Sequence, residues 1–273
     1  MANRMKVTEV SCKSALSKSG LGFEYALNPY RGCEHGCTYC YAPAVLRETR
    51  PWGQFVDIKR TIPSILAKEL RRRRKGLVGI GTVTDGYQPV EQRYEVTRRC
   101  LEQLLKIDFP VSIQTKSSLI FRDLDLLQQF SQVDVGVTIT TLDENFRKVF
   151  EPRAASIRER LAALEQLNAH GIETWLFVGP ILPHVTDQDL EGLVKAAVQA
   201  GVQEIFMDKL RLKAGTWKRV LNGLQQNAPE LIEPFRRVLW GKTDYFKTIG
   251  NQITNLCRSY GIRCEVAFES ALG

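Results

Sequence analysis

Short runs of β-branched and apolar residues alternate along this chain with longer stretches in which apolar positions recur every three or four residues. The runs Leu77 to Gly81, Val111 to Thr115, Val133 to Thr140, Glu173 to Gly179 and Glu204 to Asp208 predict strands. Helical patterns separate them. Pro89 suits a first helical position, followed by the apolar series Tyr94, Leu101, Leu104 and Leu105. Ile157, Leu161, Leu164 and Leu167 line one face of a second helix, and Gly171 falls where the chain leaves it. Thr186 with Asp189 reads as a capping-box-like start, after which Leu190, Leu193, Val194 and Val198 should face inward until Gly201.

Strand and helix thus alternate five times, and one more strand before Pro29 makes six. That rhythm implies an α/β fold with a parallel sheet and outer helices, either open or curved toward a barrel. Functional groups in such a fold gather at the C-terminal ends of the strands. After Leu212 the pattern changes to helices over Trp217 to Gln226 and Thr243 to Tyr260, then a final run, Ile262 to Phe268. No repeat, low-complexity tract or Gly/Ser linker divides the chain. The expectation is a single domain over 1–273, with a core at about 24–212 and a C-terminal helical extension at about 213–273.

Composition narrows the class. With 44% hydrophobic and 25% charged residues, the chain is neither disordered, collagenous nor a coiled coil. No apolar run approaches the roughly 18 residues of a membrane span. Met1 to Val10 lacks the apolar core of a secretion signal, so a cytoplasmic location without membrane contact is expected. A net charge of +8 favours an anionic partner such as nucleic acid or a phosphorylated substrate. The basic run Arg71 to Lys75 also suits the negative end of a helix over Ile62 to Leu70.

Three of the seven cysteines crowd into Cys33-Glu34-His35-Gly36-Cys37-Thr38-Tyr39-Cys40. This argues for a metal site rather than a disulfide scaffold. Soft thiolates select iron–sulfur clusters, Zn or Cu(I). A closed zinc site needs four ligands. The local sequence supplies three, with His35 between two of them and Cys12 well upstream. Three thiolates with one open position suit a [4Fe–4S] cluster; zinc is the competing reading.

Cys-x3-Cys-x2-Cys with an aromatic residue before the last Cys resembles the radical S-adenosylmethionine (radical SAM) superfamily. Further segments resemble its spore photoproduct lyase-like branch: Asn28-Pro29-Tyr30-Arg31-Gly32-Cys33, Tyr39-Cys40-Tyr41, Thr84-Asp85-Gly86-Tyr87-Gln88-Pro89-Val90-Glu91, Thr115-Lys116-Ser117, Phe150-Glu151-Pro152 and Phe177-Val178-Gly179-Pro180-Ile181. The resemblance implies a partial (β/α)6 barrel open at one side. It also implies that Cys33, Cys37 and Cys40 hold three irons of a [4Fe–4S] cluster while S-adenosylmethionine (SAM) chelates the fourth. One electron, from a flavodoxin- or ferredoxin-like donor, would then cleave SAM to a 5′-deoxyadenosyl radical that takes hydrogen from a substrate. DNA repair or another nucleic-acid modification is the narrower alternative, and a zinc-stabilised binding module the non-enzymatic one.

The same resemblance marks cofactor-contact candidates. Tyr39 would lie beside adenine, or simply shield the cluster. Thr84 would line the methionyl end of SAM, although Thr84 and Asp85 also suit a helix cap. Lys116, directly after a strand, matches a cofactor-contacting Lys. Thr138 and Thr140 share one strand face, where inward hydroxyls would meet ribose or methionyl groups. Arg153 and Arg160 flank a helix start, and either could clamp a carboxylate. Cys100, Cys257 and Cys264 fall at apolar positions and read as core. The hydrogen-donor Cys of spore photoproduct lyase lies just before the hydroxyl–Asp motif, and here that place is Thr82.

Overall fold

Among the described residues, seven strands lie parallel in one open sheet, with an eighth antiparallel at its edge. The computed structural model describes residues 5–268. Its strands are β1 (Lys6–Val10), β2 (Leu16–Lys18), β3 (Tyr25–Leu27), β4 (Tyr30–Arg31), β5 (Phe55–Lys59), β6 (Val78–Ile80), β7 (Val111–Thr115), β8 (Val133–Thr138), β9 (Glu173–Ile181), β10 (Glu204–Lys209) and β11 (Arg263–Val266). The sheet runs β2-β3-β6-β7-β8-β9-β10-β11, and its two edge strands do not pair with each other, so no closed barrel forms. β3 is the expected strand before Pro29, and the five others occur in the expected order. The middles of β7 and β8 are buried on both faces, as helix-covered parallel strands require, while β9 buries one face fully and half-buries Trp175 and Phe177 on the other.

Four expectations need correction. The C-terminal extension is not wholly helical. β11 pairs in parallel with β10, and Ile249, Ile253 and Cys257 of the helix Tyr245–Ser259 enter the main apolar core. This adds a further helix–strand unit to the sheet. The helix begun at Pro89 is broken into Glu91–Tyr94 and Val96–Leu105 by Glu95, whose φ is +51°. The buried Glu91 carboxylate accepts from the amides of Thr97 and Arg98, capping the second piece and fixing the break. Thr186 does not cap the next helix. Its hydroxyl accepts from Leu182 N, while Asp189 caps Leu190–Gln199 through Gly192 N at 2.8 Å. Val198 is 37% exposed, and Ala197 completes the inward face of Leu190, Leu193 and Val194.

A second, small sheet bears on the site. β1 pairs in parallel with β5, and β5 antiparallel with β4, whose last residue, Arg31, is followed by Gly32 and Cys33. β1 is exposed or half-buried along its whole length, so no hydrophobic alternation marks it in the sequence. The basic run Arg71 to Lys75 follows the helix Ile62–Leu70 as expected. Among the described residues no helix is long and apolar enough to cross a membrane.

Candidate active site

The three clustered cysteines lie in the loop that leaves β4. Gly32 opens it with φ +84°, and a Cβ there would stand 2.4 Å from the carbonyl oxygen of Phe55, so only glycine fits this approach. Tight turns follow, from Gly36 N to Cys33 O and from Cys40 N to Cys37 O. Cys33 and Cys37 are buried and Cys40 is half-buried. Burial pushes the Cys33 thiol up to about 12, with the Asp85 charge adding to the rise. Burial also raises Cys37, against the pull of Lys116, and the neighbouring Cys33 and Cys40 add to it. Burial holds the free thiols protonated, so a metal bound here has to displace their protons.

The loop is lashed to the exits of the neighbouring strands. Thr84 Oγ1 donates to Gly32 O at 2.6 Å, and Gln88 Nε2 donates to the same carbonyl and to Thr84 Oγ1. Gln88 Oε1 accepts from Glu34 N, while Glu34 Oε1 accepts from Val90 N. His35 is buried, with Nδ1 3.3 Å from Arg153 O and Nε2 3.1 Å from Asp85 Oδ2. Asp85 also accepts from Tyr87 N, Thr115 Oγ1 and Lys116 N. Burial would raise the Asp85 carboxyl, but His35, Lys116 and Thr115 hold it well below the usual carboxylate range. Arg153 donates to the carbonyls of Glu34 and Gly53 on the outer side of the loop.

A charged group lies beside the second cysteine, Cys37. Tyr39 OH donates to the buried Glu151, which pairs with the buried Arg160 at 2.5 Å. Arg160 also donates to the carbonyls of Thr138 and Ala155, leaving Nη2 without a partner. Burial would raise Glu151, yet Arg160 and Lys116 bring it below its ordinary value. The Lys116 ammonium lies 5.8 Å from the centre of the Tyr39 ring. Burial would lower its pKa, but Cys37, Glu151 and Asp85 together raise it. The structure therefore joins Tyr39, Lys116, Arg160 and Thr138 into one group beside Cys37. Thr84, Asp85 and Arg153 form the brace of the loop. Thr138 and Thr140 are both buried, and Gln114 donates to Thr138 Oγ1 at 3.3 Å.

Glu34, His35, Gln88 and Glu151 anchor the loop and its neighbours, a part the sequence reading left unassigned. A signal for them existed: each is a polar residue inside one of the motif segments. Their partners lie far away in sequence, 112 residues apart for Tyr39 and Glu151, so spacing alone does not reveal them.

Among the described residues, no three His, Cys, Asp or Glu side chains group closely enough to hold a single ion. His35 turns its ring toward the brace of the loop, Nδ1 to Arg153 O and Nε2 to Asp85, the latter without a well-aligned hydrogen bond. Three thiols, each able to take a different iron, fit a cluster with one open corner. The unpartnered Arg160 Nη2 and the Lys116 ammonium leave polar groups free for an anionic ligand nearby.

Comparison with known proteins agrees. The model of the Radical SAM superfamily matches residues 27–197, and the chain belongs to that superfamily. Its cofactors are accordingly a [4Fe–4S] cluster and SAM. An uncharacterised protein of Methanocaldococcus jannaschii is 29% identical over 259 residues, covering 94% of this chain and 95% of the relative. A radical SAM Nα-GlyT isomerase of Pseudomonas phage M6 is 23% identical over 182 residues, 66% of this chain and 38% of that protein. Among solved structures, a spore photoproduct lyase variant with bound SAM and dinucleoside spore photoproduct superposes with a TM-score of 0.73 at 14% identity, over 95% of this chain and 81% of the other. The fold is shared with that lyase.

Proposed function

We propose that the protein is a lyase-like radical SAM enzyme in which Cys33, Cys37 and Cys40 hold the cluster and Lys116 helps bind SAM. The observation that carries this reading is the set of two buried thiols and one half-buried thiol on a single loop, with an ammonium beside it that makes no ion pair among the described residues. When bound and reduced, the cluster supplies the electron that splits the SAM sulfonium, giving a 5′-deoxyadenosyl radical able to take hydrogen from a substrate.

The chain's own residues bind, orient and shield. Lys116 offers its cation to the SAM carboxylate, and Arg160 Nη2 is a second donor on the same side. Tyr39, pinned by Glu151, covers the cysteine loop with its ring and keeps water from it. The hydroxyls of Thr138 and Thr140 are assigned to the ribose. Thr84, Asp85 and Arg153 act on the loop itself, whose fixed backbone removes reorganisation at the moment of electron transfer. A flavodoxin- or ferredoxin-like protein is the proposed electron donor, and the seven unpaired cysteines agree with a reducing, cytoplasmic setting.

Nucleic acid is the favoured substrate class within this reading. Its support is the net charge of +8 and the shared fold with a lyase that holds a dinucleoside lesion. Thymine-dimer reversal is not the reaction proposed. At the place of the donor Cys, Thr82 has its hydroxyl hydrogen-bonded to Asn28, and an alcohol O–H is a far poorer hydrogen-atom donor than a thiol.

Anaerobic reconstitution tests the cofactor assignment. Iron and sulfide should load in equal amounts, and SAM should perturb the EPR signal of the reduced cluster. Tight zinc without sulfide would contradict it. For the substrate class, log affinity for DNA or RNA should fall linearly with log salt. No binding at low salt would exclude nucleic acid.

A further inference from the structure

The helix Thr216–Asn227 lies beyond the stretch that matches the superfamily, yet it reaches the cysteine loop. Arg219 Nη2 donates to the carbonyl of Cys40, with a longer contact to Thr216 Oγ1 at 3.4 Å. Arg219 Nε is buried and has no partner. No carboxylate pairs with this guanidinium among the described residues, and Cys40 is the ionisable group beside it.

Two features make the placement unusual. Arg219 sits in the first turn of its helix, where the macrodipole disfavours a cation. It is also only half-exposed, and its buried Nε has no hydrogen-bond partner among the described residues. A residue that breaks local rules in this way needs compensation from something it faces. Its position is rigid as well. Val220 and Leu224 are fully buried in an apolar cluster that also contains Cys37, Tyr39, Phe150 and Phe235. Within that cluster Phe150 stacks on Phe235 of the following helix, Ile232–Trp240, with centroids 5.9 Å apart.

We propose that Arg219 is a positioning residue and fixed counter-cation for the cluster on its Cys40 side. The proposal rests on the cluster assignment above. A thiolate-ligated cluster becomes more anionic when it accepts an electron, so a fixed cation stabilises the reduced form more than the oxidised one. Arg219 would thereby raise the reduction potential and ease the electron into the site. The hydrogen bond to Cys40 O holds the third ligand's backbone while this happens.

The test is the midpoint potential of the reconstituted cluster, read by EPR-monitored titration without substrate. Arg219→Gln should load iron and sulfide, yet at a fixed potential its reduced-to-oxidised ratio should fall about tenfold, a one-electron shift of ~59 mV downward. Arg219→Lys should recover most of that shift. Lys218→Gln, at the exposed neighbouring position, should leave it unchanged. An Arg219→Gln protein with full iron and the wild-type potential would overturn the proposal. If the Gln variant does not load, the Lys variant decides: loading at near-wild-type potential supports the role, and failure to load overturns it in favour of a purely steric one. Wild-type protein that takes up no cluster would instead refute the proposed function.

Discussion

His35, between Cys33 and Cys37, stands with its Nε2 3.1 Å from Asp85 Oδ2, joining the cysteine loop to the loop that leaves β6. Asp85 is 9% exposed and accepts three further hydrogen bonds, from Tyr87, Thr115 and Lys116. In Asp85→Asn, one acceptor oxygen becomes an NH2 group facing donors. Breaking a buried, charge-assisted set of this kind costs about 3 kcal/mol. Urea unfolding of the apo protein should show the midpoint falling at unchanged m-value, with lower iron uptake after reconstitution. A variant with wild-type stability and wild-type iron content would refute this role for the pair.

Gly32→Ala should damage the loop more than a core change does. The new methyl would meet Phe55 O at 2.4 Å on a backbone with φ +84°. Strain of this kind costs on the order of 1–3 kcal/mol, concentrated where Cys33 begins. Cys100→Ala, by contrast, trims a fully buried thiol in the apolar core. It should cost about 1 kcal/mol of stability while leaving iron content intact. Iron assays of the two variants side by side check the contrast.

Lys116→Ala should weaken SAM binding roughly tenfold, in line with the loss of one charge-assisted contact worth about 1.5 kcal/mol, with the cluster retained. Equilibrium binding to the reconstituted protein measures it. An unchanged affinity would remove Lys116 from the SAM site.

Stability should also fall in acid through Glu48. Its carboxylate accepts from Arg50 and Arg31, and these partners hold its pKa below the ordinary value. A group depressed in the folded state contributes stability above its unfolded pKa, and that contribution is lost as pH falls. The unfolded chain protonates near pH ~4.3 while the folded one resists, so the slope should begin near pH ~5 and continue downward. Glu48→Gln should flatten this part of the pH–stability curve. The same slope in both proteins would assign the acid sensitivity to other carboxylates.

Much of this arrangement could be read from residues in order. β7 and β9 declared themselves through β-branched and apolar residues on one buried face, and the cysteine spacing pointed to the proposed donor set. Strand ends were less legible: Val133 to Thr140 stops as a strand at Thr138, and β9 runs on to Ile181. The hidden parts depend on contacts between distant segments. β1 carries exposed polar residues and is a strand only because β5 offers it a partner. Glu91 breaks a helix through amides six and seven residues ahead. Arg160 looked free to clamp a ligand, but Glu151 and two carbonyls take most of its guanidinium.

Release of 5′-deoxyadenosine tests the central claim most directly. Reconstituted protein, reduced without oxygen and given SAM, should form 5′-deoxyadenosine and methionine, quantified by mass spectrometry. Cys37→Ala, still folded by circular dichroism, should form neither. Wild-type protein carrying a full complement of iron and sulfide that leaves SAM intact after reduction would contradict the account.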